Sequence, residues 1–214
     1  MSLWLTYGLL GVVAGPVVNA AGACVALREP LIWNRILPAE WKVAFAASGL
    51  LGISLVKVAE RQPAVAGAVS WLVIMGLLLS LIDWASHRLP QVLVGVLLTG
   101  GVMQFSAAAL VLPDGAGRLL QAVVALAAVF AFSLTMALVS YGGWGAGDVT
   151  LSATVAFFLG WFSWRHVIVG LCLALALGAV TFGVLRVRRA HRRGMVIPFG
   201  PALIFACVCA ILLM

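Results

Sequence analysis

The chain has 214 residues, of which 64% are hydrophobic and only 9% charged, with a mean hydropathy of +1.20. Soluble domains carry charge on roughly 25% of their residues, so this composition excludes a soluble globular enzyme. The net charge of +7 calls for no nucleic-acid partner, because the arrangement of the chain in a bilayer accounts for it.

Uncharged apolar runs recur along the whole length, and a bilayer crossing takes about 20 such residues. Charges and Gly/Pro breaks divide the chain into spans at 3–27, 43–60, 64–83, 90–112, 118–140, 149–164, 166–186 and 196–214. The fold class expected is all-α: a polytopic transmembrane helical bundle of about eight spans. The opening "MSLWLTYGLLGVVAGPVVNAAGACVAL" lacks a basic leading segment and is too long for a cleaved signal, so it reads as the first span. No repeat or linker separates a second domain, and residues 1–214 read as one integral membrane unit. Cys24, Cys172, Cys207 and Cys209 form no CxxC pair and lie in apolar segments, where cysteine behaves as a small hydrophobe.

Basic residues orient the spans, because cytoplasmic loops carry the Lys/Arg excess. The short loop 28–42 holds Arg28, Arg35 and Lys42; the loop after the third span holds Arg88. The basic loop 186–195 holds Arg186, Arg188, Arg189, Arg192 and Arg193. The alternate side collects only Lys57, Arg61, Arg118 and Arg165. The N-terminus is therefore expected outside, with both loops cytoplasmic. Trp161 and Trp164 read as interfacial anchors near the outer face.

Six acidic residues are present. Glu29, Glu40 and Glu60 lie in or beside loops that also carry basic residues, and Asp114 sits in the turn "LPDGAG". Asp83 and Asp148 stand apart. Asp83 follows 19 uncharged residues and closes the third span; Asp148 is the sole charge among 46 residues between Arg118 and Arg165. That run must break, and "GGWGAG" is where glycine places the break. By parity, both aspartates reach the cytoplasmic face from different helices. A carboxylate inside a membrane costs about 2.5–3.5 kcal/mol at the bilayer centre and marks a functional candidate. An N-cap role is the simpler alternative for Asp148.

Two aspartates sharing a site cannot both ionise, so one stays protonated while the other is charged. Such a pair suits amide hydrolysis: one carboxylate takes a proton from water while the other hydrogen-bonds the peptide carbonyl. It would equally suit a proton- or ion-coupled relay in a transporter. A transporter places carboxylates nearer the midplane, often in paired repeats, and neither feature shows. A catalytically silent scaffold of pilus or secretion machinery is the third alternative.

"GWGAGDVTL" with "GAGD" at 145–148, "LIDWASHRLP" at 81–90, "IPFGPAL" at 197–203 and "GVVAGPVVN" at 11–19 together resemble the type IV prepilin peptidases, membrane aspartyl proteases marked by a GxGD motif. Asp83 and Pro90 keep that family's Asp-to-Pro spacing of seven. The resemblance implies cleavage of the basic leader of a prepilin or pseudopilin precursor at the cytoplasmic face of a bacterial inner membrane. It implies that Asp83 and Asp148 are the catalytic pair and that Gly145 and Gly147 allow close approach of the substrate strand. Pro198, Gly200 and Pro201 would then border the substrate groove.

Two departures stand out. Many members carry a cysteine-rich zinc loop, and residues 28–42 hold no cysteine, so no metal is expected. No cofactor is expected either; S-adenosylmethionine enters only if the family's second activity, methylation of the new N-terminus, is retained. Thr150 stands where the family commonly has lysine, which leaves Asp148 without a neighbouring cation.

Overall fold

The computed structural model describes residues 58, 60, 62–86, 89–140, 145–188 and 199–213. Among them the chain is helical throughout. A 3-10 turn at Pro63–Val65 leads into α1 (Ala66–Ser86), followed by α2 (Gln91–Val111), α3 (Gly115–Val139), α4 (Ala146–Phe162), α5 (Trp164–Arg188) and α6 (Gly200–Leu213). These match the last six expected spans to within a few residues. The main differences are that α1 runs three residues past Asp83 and that α6 starts four residues late. The expected spans at 3–27 and 43–60 lie outside the described residues apart from Val58 and Glu60, as does the loop 28–42. So do the basic run beyond Arg188, and Pro198.

Among the described residues four stretches are long and apolar enough to cross a membrane: Pro63–Asp83, Gln91–Val111, Gly115–Val139 and Trp164–Gly183. Helices α4 and α6 are shorter. The molecule is a membrane protein with large apolar side chains on its outer face. Leu110, Leu120, Phe132 and Leu138 all stand exposed, as expected where the solvent is lipid and apolar exposure carries no penalty.

Short connections set the helix directions, since a short link makes consecutive helices antiparallel neighbours. The turn from α2 to α3 occupies Leu112 to Asp114, and Asp114 adopts a left-handed φ of 63°, the conformation that Asn and Asp tolerate best after glycine. A single residue, Ser163, separates α4 from α5. Up-and-down threading from α1 to α6 returns the end of α1, the start of α4 and the start of α6 to the same end of the bundle.

Helix α4 is the axis. From Val149 to Trp161 every side is buried, because α2, α3, α5 and α6 all pack against it. Two of its neighbours, α2 and α3, bury only stripes. On α2 these are Val94, Leu97, Gly101, Phe105 and Ala108; on α3 they are Ala122, Ala125, Val129 and Ser133. Both stripes follow the three- and four-residue steps of one helical face.

Aromatic rings fill the centre of the bundle. Phe105 stacks on Trp161 with centroids 4.5 Å apart and planes within 4°, and it lies tilted against Phe157 at 5.7 Å and Phe158 at 5.5 Å. Trp161 is therefore a core residue and not the interfacial anchor expected from its position near a span end. The reason is the central place of α4, which leaves its terminal turn no lipid-facing side. Trp164, one step beyond Ser163, is 44% exposed.

Candidate active site

Three helix ends meet where the bundle begins and ends its crossings. Asp83 comes from the last turn of α1, Asp148 from the first turn of α4, and Gly200 from the first position of α6. Asp83 and Asp148 are near enough for each carboxylate to feel the other's charge. Sequence parity had expected them on one face, and the fold brings them together.

Their surroundings differ. Asp83 is only 5% exposed, and a buried carboxylate is tolerable only when hydrogen bonds replace its lost water. The backbone N–H of Gly200 donates to Asp83 Oδ2 at 2.9 Å in a buried contact. Asp148 is half-buried. It is not the N-cap of its helix: Gly145 holds that position, with φ −73° and ψ 147°. The Asp148 and Val149 N–H groups donate to the Gly145 carbonyl at 3.0 and 3.2 Å. The Asp148 carboxylate lies back over Gly145, its Oδ2 3.3 Å from where a Cβ on that residue would stand.

The two glycines of "GAGD" have different neighbours. Gly145 is exposed, and the nearest atom to a Cβ built there would be Asp148 Oδ2 at 3.3 Å. Gly147 faces inward. A Cβ there would meet the Leu89 Cβ at 2.8 Å and the Leu89 carbonyl oxygen at 3.5 Å. Gly147 thus lets the Asp148 turn press against the segment that follows the Asp83 helix. Gly145 is open around its Cα apart from Asp148, while Gly147 is closed on the side of Leu89.

The model of the type IV leader peptidase family matches residues 70–184, more than half of the chain, and both aspartates lie within the match. The chain belongs to the type IV leader peptidase family. It is accordingly a protease of the leader-peptidase kind, a hydrolase set in a membrane, and a transporter relay is disfavoured. No curated protein and no solved structure matches the chain significantly. Helix α6, with its contact to Asp83, falls outside the matched residues.

Within this leader peptidase, several residues that build the site were not singled out by the sequence. Ser152, one turn after Asp148, donates back to the Asp148 carbonyl and shares a buried 3.3 Å hydrogen bond with Ser133 of α3. The polar link ties the Asp148 turn to a neighbouring helix. Its only sequence signal is a serine four residues after the aspartate, which fixes neither its partner nor its direction. Leu89 carried no signal at all, since its role depends on Gly147.

Thr150 turns away to its own helix, its hydroxyl donating to the Gly147 carbonyl at 3.0 Å and the Ala146 carbonyl at 3.3 Å. Pro201 occupies the first turn of α6, where its missing N–H is not needed. Among the described residues no group of three His, Cys, Asp or Glu side chains could hold a metal ion.

Proposed function

We propose that the chain is an aspartyl endopeptidase that removes the basic leader of type IV prepilins or pseudopilins. On this reading it works at the cytoplasmic face of a bacterial inner membrane, with Asp83 and Asp148 activating water. The observation that carries it is the convergence of two carboxylates from separate helices at one end of the bundle, each within reach of the other's charge. The exposed Gly145 lies beside Asp148.

The reaction needs no covalent intermediate. The ionised aspartate takes a proton from water as the oxygen attacks the scissile carbonyl, and the protonated aspartate gives its proton to the carbonyl oxygen. Collapse of the tetrahedral diol breaks the C–N bond, with one proton passing to the departing amine. One carboxyl of the pair ends protonated, as at the start. Asp83, fixed by the Gly200 N–H, and Asp148, lying beside Gly145, supply the two positions. The bilayer and the precursor are the partners on this reading, and neither a metal nor S-adenosylmethionine takes part in the cleavage.

Co-expression with a prepilin-like precursor bearing a basic leader and a Gly-Phe junction tests the proposal. Leader loss with the wild type, and with neither Asp83→Ala nor Asp148→Ala, is the expected result. A mass increment of 14 Da on the new N-terminus would add methylation to the activity. Intact leader on every precursor supplied to the wild type would overturn the proposal, and aspartate-dependent proton flux in vesicles would then point to a relay.

A further inference from the structure

Asp83 is held by a group that comes from neither aspartate helix. Gly200, whose N–H donates to Asp83 Oδ2 at 2.9 Å, lies 117 residues further along the chain. It is the first residue of α6 and is itself buried. An N–H at that position has no acceptor within its own helix, so the carboxylate satisfies it while losing none of the helix's hydrogen bonds.

A second observation bears on the same contact. A Cβ at position 200 would fall 2.9 Å from Asp83 Oδ2 and 3.4 Å from both Asp83 Cβ and Cγ. The missing side chain is thus what lets the backbone donor approach the carboxylate. Further down, α1 and α6 are seated closely: a Cβ on Gly76 would lie 2.6 Å from Ile204 Cγ2. The donor is carried on a docked helix, with its place set by packing on α1 as well as by the bond itself.

We infer that Gly200 is a positioning residue for the cleavage reaction: its backbone N–H fixes the orientation of the Asp83 carboxylate toward Asp148. The inference deepens the peptidase reading and rests on it. A carboxylate on a short side chain turns freely unless a second group fixes it, and misplacement by about 1 Å can cost a hundredfold in rate. Because the donor is backbone, no polar side chain at position 200 can replace it.

Replacing the Phe199–Gly200 amide by an ester in the full-length protein deletes this N–H without adding atoms. With a cleavable precursor, kcat is expected to fall about tenfold or more, with KM within about twofold and the thermal midpoint near wild type. Gly200→Ala is expected to lower kcat as well, through the Cβ contact. Gly95→Ala, where a Cβ meets nothing within 4 Å, leaves it unchanged. A readout independent of activity is the Gly200 amide proton shift in 15N-glycine-labelled protein, which should move in Asp83→Ala and stay in Asp148→Ala. Wild-type kcat in the ester protein, or a Gly200 amide indifferent to Asp83→Ala, would overturn the inference. If the wild type cleaves nothing, the peptidase reading fails while the amide shift still decides whether the contact exists.

Discussion

Gly147 and Leu89 touch where the two aspartate-bearing segments meet: a Cβ on Gly147 would sit 2.8 Å from the Cβ of Leu89. A real Cβ does not approach another carbon that closely, so one segment must move if residue 147 gains a side chain. Gly147→Ala is expected to destabilise the protein by about 1–3 kcal/mol, the usual range for overpacking, and to lower kcat by displacing Asp148 from Asp83. Leu89→Gly in the same chain, which removes the opposing Cβ, should recover part of both losses. Thermal midpoints and cleavage rates of the two single variants and the double variant check this, and no recovery would mean that the contact is incidental.

The carboxylates should be needed separately. Asp83→Asn and Asp148→Asn keep the shape of each side chain and remove its proton exchange. Each should lower kcat by at least about a hundredfold, the low end for general acid–base catalysis, while leaving the helical content unchanged. In the wild type, kcat/KM should follow a bell-shaped pH profile whose two limbs belong to the pair and not to either residue. A profile flat across both limbs would remove the shared-proton mechanism.

Ser133 and Ser152 should be coupled. Their buried hydrogen bond at 3.3 Å joins α3 to the turn carrying Asp148. A double-mutant cycle of Ser133→Ala and Ser152→Ala should give a coupling of about 0.6 kcal/mol, the mean for side-chain hydrogen bonds between membrane helices. Because Ser152 also holds the Asp148 carbonyl, Ser152→Ala should lower kcat more than Ser133→Ala does. Additive effects in the cycle would show that the serines act independently.

Two tryptophans near the same helix junction should behave differently. Trp161→Ala removes a fully buried ring stacked on Phe105 and should cost about 3–5 kcal/mol. Trp164→Ala, at an exposed position, should stay within about 0.5 kcal/mol. Unfolding of both variants in the same detergent gives the comparison, and equal losses would contradict the central place of α4.

The helices and the approach of the aspartates were legible because each rests on a local signal. Apolar runs between charges give α1 to α6, and the count of crossings between Asp83 and Asp148 returns both to one end. What was not legible depends on contacts between distant segments. Trp161 looks like any tryptophan at a span end until the neighbours of α4 are known. Gly147 and Gly145 are equivalent in the motif, and only the position of Leu89 tells the inward glycine from the open one. The donor to Asp83 is a backbone N–H, which no residue type announces, so "IPFGPAL" suggested a place near the site and not a bond.

Helices α4 and α6 contain 17 and 14 residues, lengths of about 25 and 21 Å at 1.5 Å per residue, against a hydrocarbon thickness of about 30 Å. Asp83 sits three residues short of the end of α1, and the starts of the two short helices meet it at that depth. At about 25 Å the central α4 falls short of the hydrocarbon thickness, which a bilayer accommodates by thinning locally. On the proposed function a precursor helix would meet a locally thinned membrane there, and the mismatch grows with acyl-chain length. Turnover in vesicles should fall as lipid chains lengthen at constant headgroup; a rate independent of chain length would mean that the lipid does not shape access to the site.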